Sequence, residues 1–254
     1  QYAAALAHYG MEEWAAAARQ FKTFTQQHPE SDQADDAIFY RAESLFSADQ
    51  PGRARDLYET MLQKFPKSDV ADRAAYGLAW CRREQGDLAH AARQFERVSA
   101  RYKQSDLRAE ALYRAGACWL EAGKYKNAHK VFTQVMNTDD GNEVRADSAY
   151  GAARCLLEQE QYDRAVAAYK EFLKKYPKHS QKPQALYDLA WARKGQGKND
   201  DALALFRKLT ETDAADSLRA DAMFRVAEGL YAQEEYKQAA KYYEQITRME
   251  DVDF

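Results

Sequence analysis

The side chains best suited to chemistry in this chain are three cysteines. The stretch "LAWCRREQGD" (78–87) sets Cys81 between Trp80 and two arginines, and cationic neighbours lower a thiol pKa toward the reactive thiolate. The arrangement returns around Cys118 in "AGACWLEAGK" (115–124) and around Cys155 in "AARCLLEQEQ" (152–161). An activated nucleophile, a metal cluster and a packing position are the readings such a set allows. Spacing separates them, because the three lie 37 residues apart and the same interval runs on through Ala7, Ser44, Ala192 and Gly229, all small. A position held small in this way marks a close approach between elements, where a free cysteine behaves as a small buried hydrophobe. Stacked helices pack about 8–10 Å apart, while a disulfide wants Cα atoms within about 4.4–6.8 Å. The three thiols are therefore expected to stay unpaired and to gather no metal.

No other catalytic signature stands in the sequence. His8, His28, His90, His129 and His179 are scattered, without an HExxH pair or a Cys/His cluster at zinc spacing. A phosphate loop, a dinucleotide-binding glycine pattern and a G-x-S-x-G elbow are likewise missing. The basic run "KKYPKHSQK" (174–182) reads as a solvated turn. The expectation is no enzyme activity, no cofactor and no metal.

The elements that carry these residues follow from composition and period. The 254 residues are 46% hydrophobic, enough for a sizeable core. Lys and Arg number 37 against 40 Asp and Glu, a net charge of −3 with no field for steering onto nucleic acid or an anionic membrane. No apolar run approaches the roughly 18 residues of a membrane span. Glycine and proline are few and good helix formers dominate, so the fold class is all-α.

The 37-residue interval organises the whole chain. Ala17, Ala54, Ala91, Ala128, Ala165, Ala202 and Ala239 repeat at every step, and an aromatic follows four residues later at Phe21, Tyr58, Phe95, Phe132, Tyr169, Phe206 and Tyr243. A preceding helix has its own recurring aromatic at Tyr2, Phe39, Tyr76, Tyr113, Tyr150, Tyr187 and Phe224. The prolines sit at junctions: Pro29, Pro66 and Pro177 follow second helices, and Pro51 and Pro183 suit first turns, where a missing N–H costs nothing. Each unit is helix, short turn, helix, longer turn, giving repeats at about 1–34 (partial), 35–71, 72–108, 109–145, 146–182, 183–219 and 220–254 within one domain.

This pattern resembles the tetratricopeptide repeat. Repeat five carries the motif as Ala153, Tyr162, Ala165, Tyr169 and Pro177, and repeat four as Gly116, Gly123, Tyr125, Ala128 and Phe132. Lys103, Asp140 and Ala214 replace the closing proline, and Pro51, Leu88 and Asn199 replace the turn aromatic. The three residues beyond the family's usual repeat length lie in turns such as "HPESDQAD" (28–35) and "FPKSDVAD" (65–72), a variant similar to the bacterial cell-envelope members, BamD-like and CpoB (YbgF)-like.

The resemblance implies a right-handed superhelical α-solenoid of about seven antiparallel helix pairs, with the first helices lining a concave groove. It also implies a non-catalytic protein–protein interaction scaffold that binds a partner peptide or helix there, in a bacterial cell-envelope or periplasmic assembly, with the cytoplasm as the alternative location. The groove residues would be Tyr76, Trp80 and Arg83; Tyr113 and Arg114; Tyr150 and Arg154; Tyr187, Trp191 and Lys194; and Arg225. Tyr, Trp and Arg supply most interface hot spots. Glu43, Asp188 and Glu228 are expected on the same surface, so an anionic-peptide groove is not implied. The alternatives are a repeat arm of a larger multidomain enzyme or regulator and, remotely, an RNA-binding helical repeat, which the net acidic charge disfavours. Gln1 begins inside a first helix and no polar capping helix is visible, so the chain is expected to be a segment of a longer protein. A membrane attachment would have to come from outside the segment.

Overall fold

The structure is a computed structural model that describes residues 1–137 and 142–249, the side chains of Asn142 and Glu143 excepted. Asp140 and residues 250–254 lie outside the described residues. Among the described residues there are helices and turns and no strand. The first helices of the repeats are α1 (Tyr2–Gly10), α3 (Ala34–Ser47), α5 (Ala71–Glu84), α7 (Arg108–Glu121), α9 (Asn142–Glu158), α11 (Lys182–Gly195) and α13 (Asp216–Ala232). The second helices are α2 (Trp14–Gln27), α4 (Pro51–Lys64), α6 (Leu88–Arg101), α8 (Tyr125–Met136), α10 (Tyr162–Lys175), α12 (Asn199–Thr210) and α14 (Tyr236–Thr247).

One turn, used seven times, joins the helices of each pair. Its left-handed residue falls at Glu12, Asp49, Gly86, Gly123, Glu160, Gly197 and Glu234, with φ between 56° and 77°. At Gly86 the glycine N–H donates to the Arg83 carbonyl and the Asp87 N–H to the Arg82 carbonyl, at 2.9 and 3.0 Å. This is the Schellman arrangement, which satisfies helix-end carbonyls while reversing the chain. The same two bonds recur at the other six turns, for example Glu160 N–H to Leu157 and Gln161 N–H to Leu156. Pro51 and Pro183 stand in first turns, as the sequence predicts.

The chain divides into two compact units, Gln1–Val131 and Phe132–Phe254, with the boundary inside α8. In the first unit each helix from α1 to α7 packs on the next, and α1 also touches α3, and α3 touches α5. In the second, α9 to α14 pack in order and α9 touches α11. The repeated alanines, Ala17 to Ala239, are at most 3% exposed. So are the second-helix aromatics from Phe21 to Phe206, while Tyr243 is half-buried. Phe21, Tyr58, Phe132 and Tyr169 reach the first helix of the following repeat. A Cβ added to Gly77 would come 2.5 Å from Tyr58 Cζ, and one added to Gly151 would come 2.7 Å from Phe132 Cε2. A single repeat has no such wedge to fill, so stability arises between neighbours.

Candidate interaction surface

Helical spacing puts residues four apart on one face, and this builds the same ring cluster once in each unit. In the first, Tyr76 and Trp80 of α5 meet at 6.2 Å, and both meet Phe95 of α6, at 5.2 and 5.7 Å. In the second, Tyr187 and Trp191 of α11 meet at 6.2 Å and contact Phe206 of α12 at 5.5 and 6.0 Å. All six contacts are edge-on, the arrangement that ring quadrupoles favour. The first-helix rings thus pack mainly on the second helix of their own repeat. Both tryptophans remain partly exposed.

Each tryptophan also has two cations over its ring. Arg83, one turn along α5, and Arg114, from α7 of the next repeat, stand 5.3 and 5.2 Å from the Trp80 ring. Lys194 of α11 and Arg225 of α13 stand 4.8 and 5.2 Å from the Trp191 ring. Such contacts contribute about 0.5–1 kcal/mol at exposed sites. Acids hold the cross-repeat arginines in place: Arg114 Nε donates to Glu110 Oε1 at 2.6 Å, and Arg225 to Asp221 at 3.3 Å and Glu228 at 2.9 Å. Burial alone would pull the Arg114 guanidinium pKa down, but Glu110 and Tyr76 outweigh it and the net direction is up. Arg225 is likewise raised, burial being outweighed by Glu228 and Asp221. The Tyr187 hydroxyl donates to Asp221 as well. Arg83 reaches Glu84 and Glu121, both at 3.4 Å. Sequence reading selects the rings and cations but not Glu110 and Asp221, which line up with one another three repeats apart.

The other expected groove residues are placed differently. Tyr113 is half-buried with the Arg114 guanidinium 5.4 Å from its ring centroid. Arg154 is exposed and pairs with Glu158 at 3.9 Å. Tyr150 is only 8% exposed, lies 6.2 Å from Tyr169 and 5.9 Å from Phe172, and donates its hydroxyl to Asp188 at 2.8 Å. Enclosed in that way, it holds helices together rather than offering a ring to a partner.

Two of the three acids expected on the surface are also corrected. Asp188 is 7% exposed and accepts from Tyr150, from Tyr169 at 3.1 Å and from the Gln184 amide at 3.0 Å. Glu43 is partly buried and accepts from the Tyr58 hydroxyl. Burial pushes both carboxyls above their ordinary range. The reason lies in the second-helix aromatic: at Tyr58 and Tyr169 the hydroxyl is buried with the ring and needs an acceptor.

The cysteines are buried and unpaired. Burial pushes the Cys81 and Cys155 thiols up to about 12 and Cys118 up to about 11, so they remain neutral thiols despite the arginines beside them. Among the described residues no group of His, Cys, Asp and Glu is arranged to hold a metal ion, and no helix is long and apolar enough to cross a membrane.

Comparisons with known proteins place this architecture. The C-terminal part of a tetratricopeptide-repeat protein from Cytophaga hutchinsonii aligns over 100% of this chain and 96% of its own, with 14% identity and a TM-score of 0.78. A tetratricopeptide-repeat protein from Parabacteroides merdae aligns over 97% and 90%, with 17% identity and a TM-score of 0.61. YrrB, a repeat protein with an unusual peptide-binding site, aligns over 83% and 97%, with 18% identity and a TM-score of 0.60. No curated protein matches the chain by sequence at a significant level. Profiles of the repeat family match residues 45–116, 120–181 and 156–226, with related profiles over 2–69 and 221–248. With its helix pairs, its seven identical turns and these matches, the chain belongs to the tetratricopeptide-repeat family.

Proposed function

We propose that the chain is a non-catalytic scaffold whose first helices hold an extended segment or helix of a partner protein. Trp80 and Trp191 are the anchors, and Arg83, Arg114, Lys194 and Arg225 are the polar contacts around them. The observation that carries this reading is the doubling of the tryptophan with two cations over its ring, once in each unit. Partly exposed Trp and Arg held in place by their own structure are what interface hot spots are made of. Successive first helices touch at α1–α3, α3–α5 and α9–α11, which supports a shared first-helix surface in each unit. The fold-level likeness to a protein with a peptide-binding site points in the same direction. Tyr113 and Arg154 extend the surface; Tyr150 does not. We place this activity in a bacterial cell-envelope assembly, on the strength of the extended "P-x-S" turns.

Affinity capture tests both parts. The chain, and variants carrying Trp80→Ala with Arg114→Ala or Trp191→Ala with Arg225→Ala, would be used on envelope and cytosolic fractions of the native organism. A specific partner retained by the wild type from the envelope fraction and lost by both variants is the expected result. Undiminished capture by both variants removes the anchor assignment, and capture from the cytosol alone removes the envelope assignment.

A further inference from the structure

One second helix opens on a residue unlike those that open the others. The residue opening each second helix is aromatic at Trp14, Tyr125, Tyr162 and Tyr236 and apolar at Pro51 and Leu88, but at α12 it is Asn199. Tyr162 demonstrates what a ring does at this place. It lies against the end of the next first helix, so close to Gly195 that a Cβ there would overlap it. The residue equivalent to Gly195 one repeat on is Ala232, in a column that holds Gly10, Ser47, Glu84, Glu121 and Glu158 in the other repeats. With a small polar residue on one side and a methyl group on the other, α12 and α13 leave an open cleft of about 830 Å³. That is within the range of about 300–1,000 Å³ typical of ligand sites.

The lining of the cleft is amphipathic. Leu203 and Phe206 form its apolar part, and Lys194, Lys198 and Arg225 its cationic part. Three carboxylates also line it, and each has a partner within the fold. Glu228 pairs with Arg225 at 2.9 Å, Asp201 with Arg193 at 3.6 Å, and Asp200 accepts from the Gln233 amide at 3.0 Å. Lys194 and Lys198 have no carboxylate within ion-pair distance among the described residues; Lys194 instead stands over the Trp191 ring. Lys194 and Lys198 outnumber Asp200, the one lining carboxylate that no cation neutralises, so the excess charge of the cleft is positive, beside a position that holds Tyr162 one repeat earlier.

We propose that this cleft receives an aromatic side chain of a partner peptide with a carboxylate next to it in sequence. The ring occupies the place left open by Asn199 and Ala232, and the carboxylate meets Lys194 and Lys198. The proposal rests on the interaction-scaffold reading and adds to it a second contact point with its own chemistry. A nucleotide also combines a ring with negative charge, but Asp200, which no cation neutralises, opposes a doubly charged phosphate more than a singly charged carboxylate. A tyrosine is the group the same fold places in the neighbouring slot.

The test is an amide chemical-shift titration of the chain with the probe acetyl-Gly-Gly-Phe-Glu-Gly-amide, beside the same peptide with Ala for Phe, and beside adenosine monophosphate. The Phe peptide is expected to perturb amides within 195–206 and 225–233, and the Ala peptide to bind at least about tenfold more weakly. Asn199→Tyr, which puts a ring into the cleft from within, is expected to weaken binding by at least about tenfold. Lys198→Glu is expected to weaken it several-fold with the fold intact by circular dichroism, and it carries the test should Asn199→Tyr not fold. Equal binding of the two peptides, undiminished binding to Asn199→Tyr, or tighter binding of the nucleotide overturns the proposal. Perturbation around Trp80 and Trp191 with none within 198–206 and 226–233 overturns the cleft and leaves the scaffold reading standing. Unchanged capture by the tryptophan variants strikes the anchor assignment alone.

Discussion

Tyr58 and Tyr169 occupy the column that Phe21, Phe95, Phe132 and Phe206 fill in other repeats, and their hydroxyls are buried with their rings. Each recruits an acid from a first helix, Glu43 for Tyr58 and Asp188 for Tyr169, although the two acids come from different positions of the repeat. The choice of acid is a solution in space, and one residue of the repeat motif does not announce it. Burial raises the Asp188 carboxyl above its ordinary 3.8, so the folded chain binds that proton more tightly than the unfolded one. Stability then falls as pH rises through the folded value. The amide introduced by Asp188→Asn does not titrate, so the Tm of the wild type is expected to decline relative to that of the variant between pH 4 and pH 7. Melting curves at closely spaced pH values check this, and a difference that grows in the opposite direction would refute it. The cysteines follow the same logic at lower stakes: burial outweighs the neighbouring arginines and keeps them as packing groups.

At the scale of the element, the seven turns share one backbone while their sequences differ. Gly86, Gly123 and Gly197 meet the left-handed φ without strain, whereas Glu12, Asp49, Glu160 and Glu234 adopt it with a Cβ, at a cost of about 1–2 kcal/mol each. The exchange can be run both ways. Gly86 has nothing within 4 Å of an added Cβ, so Gly86→Ala isolates the conformational cost, expected to be about 1 kcal/mol of destabilisation. Glu160→Gly should return about 0.5–1 kcal/mol, the gain reduced by the freer unfolded chain. Urea unfolding reads both, and a stabilised Gly86→Ala would show that the turn is not held by φ. The sequence marks three of the seven turns with glycine; the other four are legible only through the 37-residue period.

At the scale of the whole molecule, stability is a chain of neighbour contacts inside each unit. Ala165, fully buried, sits where α9, α10 and α11 meet in the second unit. Ala165→Leu should overpack that layer by about 1–3 kcal/mol. Hydrogen exchange is expected to quicken in α9, α10 and α11 and to change least in α14; uniform loss along the unit would contradict nearest-neighbour stability. The sequence by itself determined the all-α class, the helix pairs and the buried alanine and aromatic columns, because each is written seven times and accidental matches do not survive that many copies. It also brought Trp80 and Trp191 forward as candidate surface residues, through aromatic and cationic residues one turn apart. Contacts between residues 30 or more apart were decided by the tertiary structure alone. Arg114 over Trp80 and Arg225 over Trp191 are of this kind, as are Tyr150 on Asp188 and the slot between Asn199 and Ala232. A repeat period fixes which helices neighbour one another, but whether a side chain reaches its neighbour depends on the volumes and charges of both, and those differ from repeat to repeat.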